Sequence, residues 1–181
     1  MIYTNIILSG LPFSGKSSLA KKLAEVFKWP IYSIGQLWRE EWKKKYPNAD
    51  VGFEEYWRNT TIEENREMDQ KAKEVFKNGM VIGDVRYLTN YMDLPSLLVF
   101  VTADLNKRAL RAFDNGVYQG KLDDIKEIML RREMDELRVG KELYGEEYDY
   151  RDPKHCHLTI NSGLLDIYKE SCIISRMIHS A

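Results

Sequence analysis

The segment Gly10–Ser17 constrains the fold of this chain more than any other stretch of its sequence. It reads GLPFSGKS, in which two glycines lie five positions apart and the second is followed by lysine and serine. The residues before it, 3–9, have the apolar character of a buried strand, and residues 16–27 repeat apolar side chains at helical spacing. The segment therefore predicts a strand, a glycine-rich loop and a helix in direct succession.

A loop of this composition is suited to hold a chain of phosphate groups. Gly10 and Gly15 allow backbone conformations that turn successive N–H groups toward an anion, and the following helix adds the positive end of its dipole. Lys16 can reach the terminal phosphates of a nucleoside triphosphate, and the Ser17 hydroxyl is placed to ligate Mg²⁺. We therefore predict an ATP site with Mg²⁺ as cofactor. The predicted ATP-binding residues of this loop are Gly10, Leu11, Pro12, Phe13, Ser14, Gly15, Lys16, Ser17 and Ser18.

Strand-like and helix-like segments alternate along the rest of the chain. This alternation predicts an α/β fold of the P-loop NTPase type, a three-layer sandwich in which helices flank a five-stranded parallel sheet. At this length, one domain over residues 1–181 is expected. The predicted strands are residues 3–9, 30–33, 80–84, 96–102 and 158–160, and the predicted helices include residues 16–27, 53–78, 104–113, 122–140 and 163–178.

The charge composition excludes several classes of partner. The 27 Lys and Arg residues are balanced by 28 Asp and Glu residues, which gives a formal net charge of −1. Such a chain has no global field for a nucleic acid polymer or an acidic membrane, so any anion site must be local. No apolar run reaches the length of a membrane span, and the start MIYTNIIL lacks the basic flank of a signal peptide. We expect a cytoplasmic protein and favour a monomer.

The cysteine and histidine residues give little indication of a metal site. Two cysteines, Cys156 and Cys172, are too few for a disulfide framework or a paired zinc knuckle. His155 and His157 would share one face of a strand, which makes a metal site conceivable. We favour a structural role for this short segment, because it does not supply the ligand set that a zinc site requires.

The sequence after the glycine loop favours a kinase over a switch GTPase. A switch GTPase needs the patterns D-x-x-G and N-K-x-D, whereas the candidate positions here read DVRY at residues 84–87 and NKRA at residues 106–109. An acceptor that is itself a phosphate is already largely deprotonated near neutral pH, because its second pKa is about 6. Such a kinase therefore needs no general base. It needs positive charge, since donor and acceptor repel each other.

Arginines and one aspartate follow the predicted strands where that charge is needed. Asp84 ends a strand and could hold Mg²⁺ through water, although a loop-capping role remains the alternative. Arg86 lies just beyond it, at the edge where ligands of open parallel sheets gather. Arg39 follows the second strand, and Arg108 and Arg111 lie one turn apart after the fourth.

The long helix predicted after these segments carries further charges on one face. Arg131, Asp135 and Arg138 lie within roughly 60° of one another around the helix axis. On spacing alone, a solvated ladder of ion pairs is the more frequent explanation of such a pattern. Taken with the other arginines, the face favours a phosphate clamp.

Together these segments resemble the cytidylate kinase-like family of nucleoside monophosphate kinases, in its short archaeal form, over essentially the whole chain. SIGQLWR at residues 33–39 is similar to the family's acceptor-binding stretch, residues 80–86 to its third strand with the following arginine, and RREMDELR at residues 131–138 to its lid-side helix. The resemblance implies a nucleotide-binding helical segment at about 34–78 and a mobile lid at about 108–140. It also implies roles for individual residues. The nucleoside monophosphate would be bound by Gly35, Arg39, Arg86, Arg131, Asp135 and Arg138, and catalysis would involve Lys16, Arg86, Arg131 and Arg138. The metal would be held by Ser17 and Asp84, and ATP would be contacted from the lid by Arg108 and Arg111.

The predicted function is transfer of the ATP γ-phosphoryl group to a nucleoside monophosphate, with CMP or dCMP as the first expectation. The chain departs from the family at Gln36, where an acidic residue is usual, and between Gly83 and Arg86, which are normally adjacent. The DVR stretch is also similar to phage-type deoxynucleotide kinases and phosphomevalonate kinases. The alternatives are therefore a kinase for another phosphorylated small molecule or modified nucleotide, and a non-catalytic nucleotide-binding regulatory module.

Overall fold

The computed structural model describes residues 3–180, and it confirms the predicted α/β class. Within these residues the sheet has five strands, all parallel, in the order β2-β3-β1-β4-β5. This all-parallel order with helices between the strands is that of a P-loop NTPase fold. The strands are β1 Asn5–Gly10, β2 Ile31–Ser33, β3 Ile82–Asp84, β4 Ser96–Thr102 and β5 Leu158–Asn161.

Helices connect the strands and cover the sheet on both sides. The helix α1 starts directly at the lysine of the glycine loop, as predicted. No helix between residues 3 and 180 is long and apolar enough to cross a membrane. The helices are α1 Lys16–Phe27, α2 Ile34–Lys45, α3 Phe53–Arg58, α4 Ile62–Lys77, α5 Leu105–Asp114, α6 Leu122–Tyr144 and α7 Ile167–Ser180.

The central strand β1 is buried on both faces. Ile6, Ile7 and Leu8 have no exposed surface, as expected for a parallel strand covered by helices on either side. Ile6 and Leu8 face the cluster formed with α1 and α7, whereas Ile7 faces the cluster that includes Phe76 of α4. The register pairs Leu8 with Asp84, so the carboxyl ends of β1 and β3 meet at one edge of the sheet.

The single helix predicted over residues 53–78 is wrong, because the structure divides it into α3 and α4. Thr61 caps α4 by accepting a hydrogen bond from the Glu64 N–H at 3.1 Å, and the Glu64 carboxylate accepts one from the Thr61 N–H at 2.6 Å. This reciprocal capping box starts a new helix. The T-x-x-E spacing of a capping box is present in the sequence, but the helical periodicity on both sides of it favoured one continuous helix.

Two predicted helix ends also differ from the observed ones. Helix α6 continues past Gly140 to Tyr144, so this glycine does not end the helix. It packs against the rings of Tyr87 and Tyr148, where a Cβ atom would lie only 3.0 to 3.2 Å from ring carbons. The last helix starts at Ile167 rather than at residue 163, since the segment after β5 first forms a turn in which Leu164 N–H donates to the Asn161 carbonyl.

Candidate active site

The glycine loop joins β1 to α1 in a conformation that two of its residues make possible. Gly10 has a φ of +153°, and a Cβ atom there would lie 2.0 Å from the Val101 carbonyl oxygen of β4. Gly15 has a φ of +92° and is the residue immediately before α1. The first N–H groups of a helix have no partner within it, so the loop presents donors and a positive helix end to the same space.

The Lys16 ammonium forms an ion pair with the Asp84 carboxylate at the end of β3. Ser17 donates a hydrogen bond to the other carboxylate oxygen at 2.8 Å, and the Ser33 hydroxyl lies 3.4 Å from that same oxygen. Burial alone would raise the pKa of Asp84, but the charge of Lys16 and the hydrogen bonds outweigh it and hold the pKa below its ordinary value. Burial is also the main cause that lowers the pKa of Lys16.

A cavity of about 690 Å³ lies over the glycine loop, within the size range of ligand pockets. Arg111 forms part of its wall and is held by Ser162, whose hydroxyl and carbonyl oxygens each accept a guanidinium hydrogen bond at 2.9 Å. Of the nine predicted ATP-binding loop residues, all except Gly10 line this cavity. We call it the donor cavity; it is also lined by Lys107, Asn115 and Asp166.

Arg108 lies beneath the loop and does not line the donor cavity. Its guanidinium is buried, pairs with Glu133 at 2.6 Å and donates to the carbonyls of Ala103 at 3.0 Å and Pro12 at 3.3 Å. These contacts tie α5 and α6 to the glycine loop. The structure therefore gives Arg108 a supporting position, whereas Arg111 faces the donor cavity.

A second cavity lies between α2, α3, α4 and α6, and we call it the acceptor cavity. Aromatic side chains of α2 and α3 form much of its wall, and polar side chains of α4 and α6 close it. Residues with charged side chains line both cavities where they meet, so the two form one continuous cleft around the lysine of the loop. The charged residues shared by both cavities are Lys16, Arg39, Asp84, Arg86 and Arg132.

Glu136 holds two of these arginines in place. It is 2% exposed, and one of its carboxylate oxygens forms an ion pair with Arg86 at 2.9 Å and accepts a hydrogen bond from Arg132 at 3.1 Å. The other oxygen accepts from the Tyr150 hydroxyl at 2.9 Å. Arg86 also donates to the Gly10 carbonyl at 2.6 Å, which ties the acceptor side of the cleft to the glycine loop.

The structure does not bring Arg131 and Arg138 to the cleft. Arg131 pairs with Glu127 at 3.2 Å and Arg138 with Glu142 at 2.6 Å, one turn away on the exposed side of α6 in each case. The face of α6 that lines the acceptor cavity is formed instead by Arg132, Asp135 and Glu136. The predicted face is therefore rotated around the helix relative to the observed one. Arg131 and Arg138 belong instead to the exposed ladder of ion pairs.

The other predicted acceptor residues lie along the cavity. Gly35 and Arg39 line it from α2, and the Arg39 guanidinium donates to the Gly35 carbonyl at 2.8 Å and lies 5.1 Å from the centre of the Phe53 ring. Asp135 pairs with Arg58 of α3 at 2.7 Å. Arg58 and Arg132 were not among the site residues predicted from the sequence, and the one sequence feature that could have indicated Arg132 is its position next to Arg131.

The His155–His157 segment has structural contacts. His157 accepts a hydrogen bond from the Leu98 N–H at 3.0 Å through its Nδ1, and its ring lies 5.3 Å from that of Tyr3. In residues 3–180, no three His, Cys, Asp or Glu side chains cluster in a way that could hold a metal ion by themselves.

The fold and the two adjoining cavities define a P-loop kinase, and sequence comparison supports this class. A family model described as an AAA domain matches residues 9–142. A cytidylate kinase of Desulfurococcus amylolyticus is 31% identical over 180 residues, which cover 96% of this chain and 91% of the relative. A cytidylate kinase of Pyrobaculum aerophilum is 29% identical over 169 residues, 90% of this chain and 85% of that protein.

The chain thus belongs to this AAA-domain family, as a P-loop kinase related to the archaeal cytidylate kinases. A solved structure of shikimate kinase from Acinetobacter baumannii shares the fold, with a TM-score of 0.59 over 98% of this chain and 94% of that one. Its sequence identity is 16%, so this likeness concerns the fold alone.

Proposed function

We propose that this protein transfers the γ-phosphoryl group of ATP to a nucleoside monophosphate, and that CMP or dCMP is the preferred acceptor. The observation that carries the proposal is the meeting of two cavities at Lys16, with Arg39, Arg86 and Arg132 lining both. That arrangement suits a reaction in which two anionic phosphates must be brought end to end. The names of the two archaeal relatives support the choice of a cytidine nucleotide.

The donor side has groups suited to a triphosphate with Mg²⁺. The backbone donors of the glycine loop would hold the β-phosphate, and Lys16 would contact the β- and γ-phosphates. Ser17 and Asp84 present adjacent oxygen atoms at the strand end, and oxygen ligands are those that Mg²⁺ prefers. When bound, Mg²⁺ would neutralise charge on the phosphates.

On the acceptor side the arginines lie close enough to repel one another. Burial, followed by the nearby charge of Arg132, lowers the pKa of Arg39, and Arg86 adds to this effect. Within the described residues, the Arg39 guanidinium contacts a carbonyl oxygen and an aromatic ring, neither of which carries a full negative charge. A phosphate dianion in this position would relieve the repulsion. It would also supply its own nucleophilic oxygen, so no general base is required.

The acceptor cavity has to open before a nucleotide can enter. Its volume is about 100 Å³, below the range of about 300 to 1,000 Å³ for ligand pockets. Residues 34–78, which contain α2 to α4, form one wall and would move outward on binding. Residues 108–140 would cover the phosphates, because Arg111 lines the donor cavity and Arg132 lines both cavities, and this cover would exclude the water that would otherwise accept the phosphoryl group.

A coupled assay of ADP release over the common ribo- and deoxyribonucleoside monophosphates tests this function. We expect turnover with CMP or dCMP and a loss of at least about 100-fold in Lys16→Ala, because one positive charge on the moving group is removed. Lys21→Ala, on the exposed side of the same helix, is the matched control.

Three other outcomes would contradict the proposal in different ways. Turnover only with a different phosphorylated metabolite would support a kinase of another specificity. ATP binding without any acceptor turnover would support a regulatory module. Full activity of Lys16→Ala would remove the assignment of the donor site.

A further inference from the structure

Helix α4 presents two buried oxygen acceptors to the acceptor cavity. Asn65 and Asp69 are four residues apart, so they lie on the same face of the helix, and both line the cavity. They are 6% and 5% exposed, respectively. Neither belongs to the arginine cluster around Lys16, and the proposed phosphoryl transfer gives them no role.

Among residues 3–180, the groups that donate hydrogen bonds to the Asp69 carboxylate are neutral. The Tyr91 hydroxyl donates to its Oδ1 at 3.3 Å, and the Tyr144 hydroxyl donates to its Oδ2. In residues 3–180 it forms no ion pair with a lysine or arginine within 4.0 Å. Burial raises its pKa to about 6, so the carboxylate is mostly ionised at pH 7. A carboxylate has about four lone-pair sites, and acceptor capacity therefore remains after the two tyrosines are counted.

The hydrogen bonds of Asn65 determine which end of its amide faces the cavity. Its Nδ2 donates to the Thr61 carbonyl at 2.8 Å and to the Thr60 hydroxyl oxygen at 2.9 Å. The Thr60 hydroxyl proton is committed to the Trp57 carbonyl at 2.7 Å, so Thr60 can only accept from Asn65. Both amide protons are used, and what Asn65 can offer a ligand is its carbonyl oxygen Oδ1.

Two neighbouring acceptors that present no donor to the cavity would suit a ligand group with two N–H bonds. Resting on the function proposed above, we propose that Asp69 and Asn65 Oδ1 accept the two protons of the exocyclic amine of cytosine. Trp38, Phe53 and Trp57 line the same cavity and provide flat apolar surface for a pyrimidine ring. Uracil and thymine carry a carbonyl oxygen in place of the amine and would meet two acceptors. The pair is therefore a specificity determinant for the base.

The test compares kcat/KM for CMP, UMP, AMP and the pyrimidin-2-one ribonucleoside monophosphate, which lacks the exocyclic amine. In the unaltered protein we expect CMP to exceed UMP by at least 100-fold and the amine-free analogue by 10- to 1,000-fold, because buried acceptors left unpaired are penalised. This comparison uses only the unaltered protein, so its result does not depend on whether a variant folds.

The second arm uses Asp69→Asn, with Glu67→Gln on the exposed side of α4 as the matched control. We expect the CMP-to-UMP ratio to fall at least 10-fold in Asp69→Asn and to stay unchanged in Glu67→Gln, with thermal melting showing that both are folded. Equal use of CMP and UMP, preference for AMP, or an unchanged ratio in folded Asp69→Asn would overturn this inference while the kinase function stands. Absence of turnover with every nucleoside monophosphate would overturn both.

Discussion

At the scale of single residues, the site depends on buried carboxylates that organise the arginines. Glu136 is the clearest example, because within residues 3–180 it is the carboxylate that contacts both Arg86 and Arg132. Sequence reasoning had no means of finding it, since a glutamate in a charged helix is usually solvated. Its role follows from burial at the bottom of the cleft, which only the tertiary structure reveals.

We predict that Glu136→Gln weakens both the fold and acceptor use. Removing the charge leaves two partly buried guanidinium groups without their shared partner, which should lower the free energy of unfolding by about 1 to 3 kcal/mol. KM for the nucleoside monophosphate should rise more than KM for ATP, because the arginines lose their positions. Denaturant titration and steady-state kinetics measure these effects. Glu142→Gln, on the exposed side of the same helix, should change neither, and equal effects in both variants would contradict the account.

Asp69 makes a pH-dependent contribution to stability. Its pKa is about 6 in the folded chain against an ordinary value of 3.8, so the folded state binds the proton more tightly. The contribution of Asp69 therefore increases stability as pH falls from about 6 toward 4, and is unfavourable above that window. The groups facing it are the hydroxyls of Tyr91 and Tyr144, which stay protonated in this range.

The measurement is the free energy of unfolding between pH 4 and pH 7.5 in the unaltered protein and in Asp69→Asn. The difference between the two should shift in favour of the unaltered protein by about 1 to 3 kcal/mol as pH falls through 6. A difference that is flat over this range would show that Asp69 titrates as an ordinary exposed carboxyl group.

At the scale of elements, the orientation of α6 decides which arginines reach the cleft. Its charge pattern predicted a face formed by Arg131, Asp135 and Arg138, but a helix with arginines at 131, 132 and 138 offers more than one charged face. The packing of α6 against α3, α5 and the glycine loop is what turns Arg132 toward the cleft. By contrast, the strands and the loop-to-helix junction could be predicted, since their apolar runs and the glycine spacing are local features.

We predict that Arg132→Ala lowers kcat/KM for the acceptor by about 100-fold or more, because the guanidinium lines both cavities. Arg131→Ala should leave it within about twofold, as Arg131 is 71% exposed and, among residues 3–180, forms an ion pair with Glu127 alone. Steady-state kinetics on the two neighbouring variants gives the comparison directly. The reverse order of effects would show that the helix presents its other face during the reaction.

At the scale of the whole molecule, the parallel sheet brings donor and acceptor sites to one edge. The strand order places β3 beside β1, so Asp84 and Arg86 lie next to the glycine loop although more than 60 residues separate them in sequence. This proximity could be inferred from the strand-and-helix alternation. The floor of the acceptor cavity could not, because Asn65 and Asp69 occupy a helix whose start was itself predicted wrongly.

In the proposed reaction, one cleft would hold both nucleotides end to end around Lys16. Isothermal titration with a bisubstrate analogue, adenosine and cytidine joined by a pentaphosphate, tests it most directly. We predict one molecule bound per chain, at least about 100-fold more tightly than ATP or CMP alone, and displaced by either nucleotide. Binding no tighter than that of ATP, with displacement by ATP but not by CMP, would contradict it.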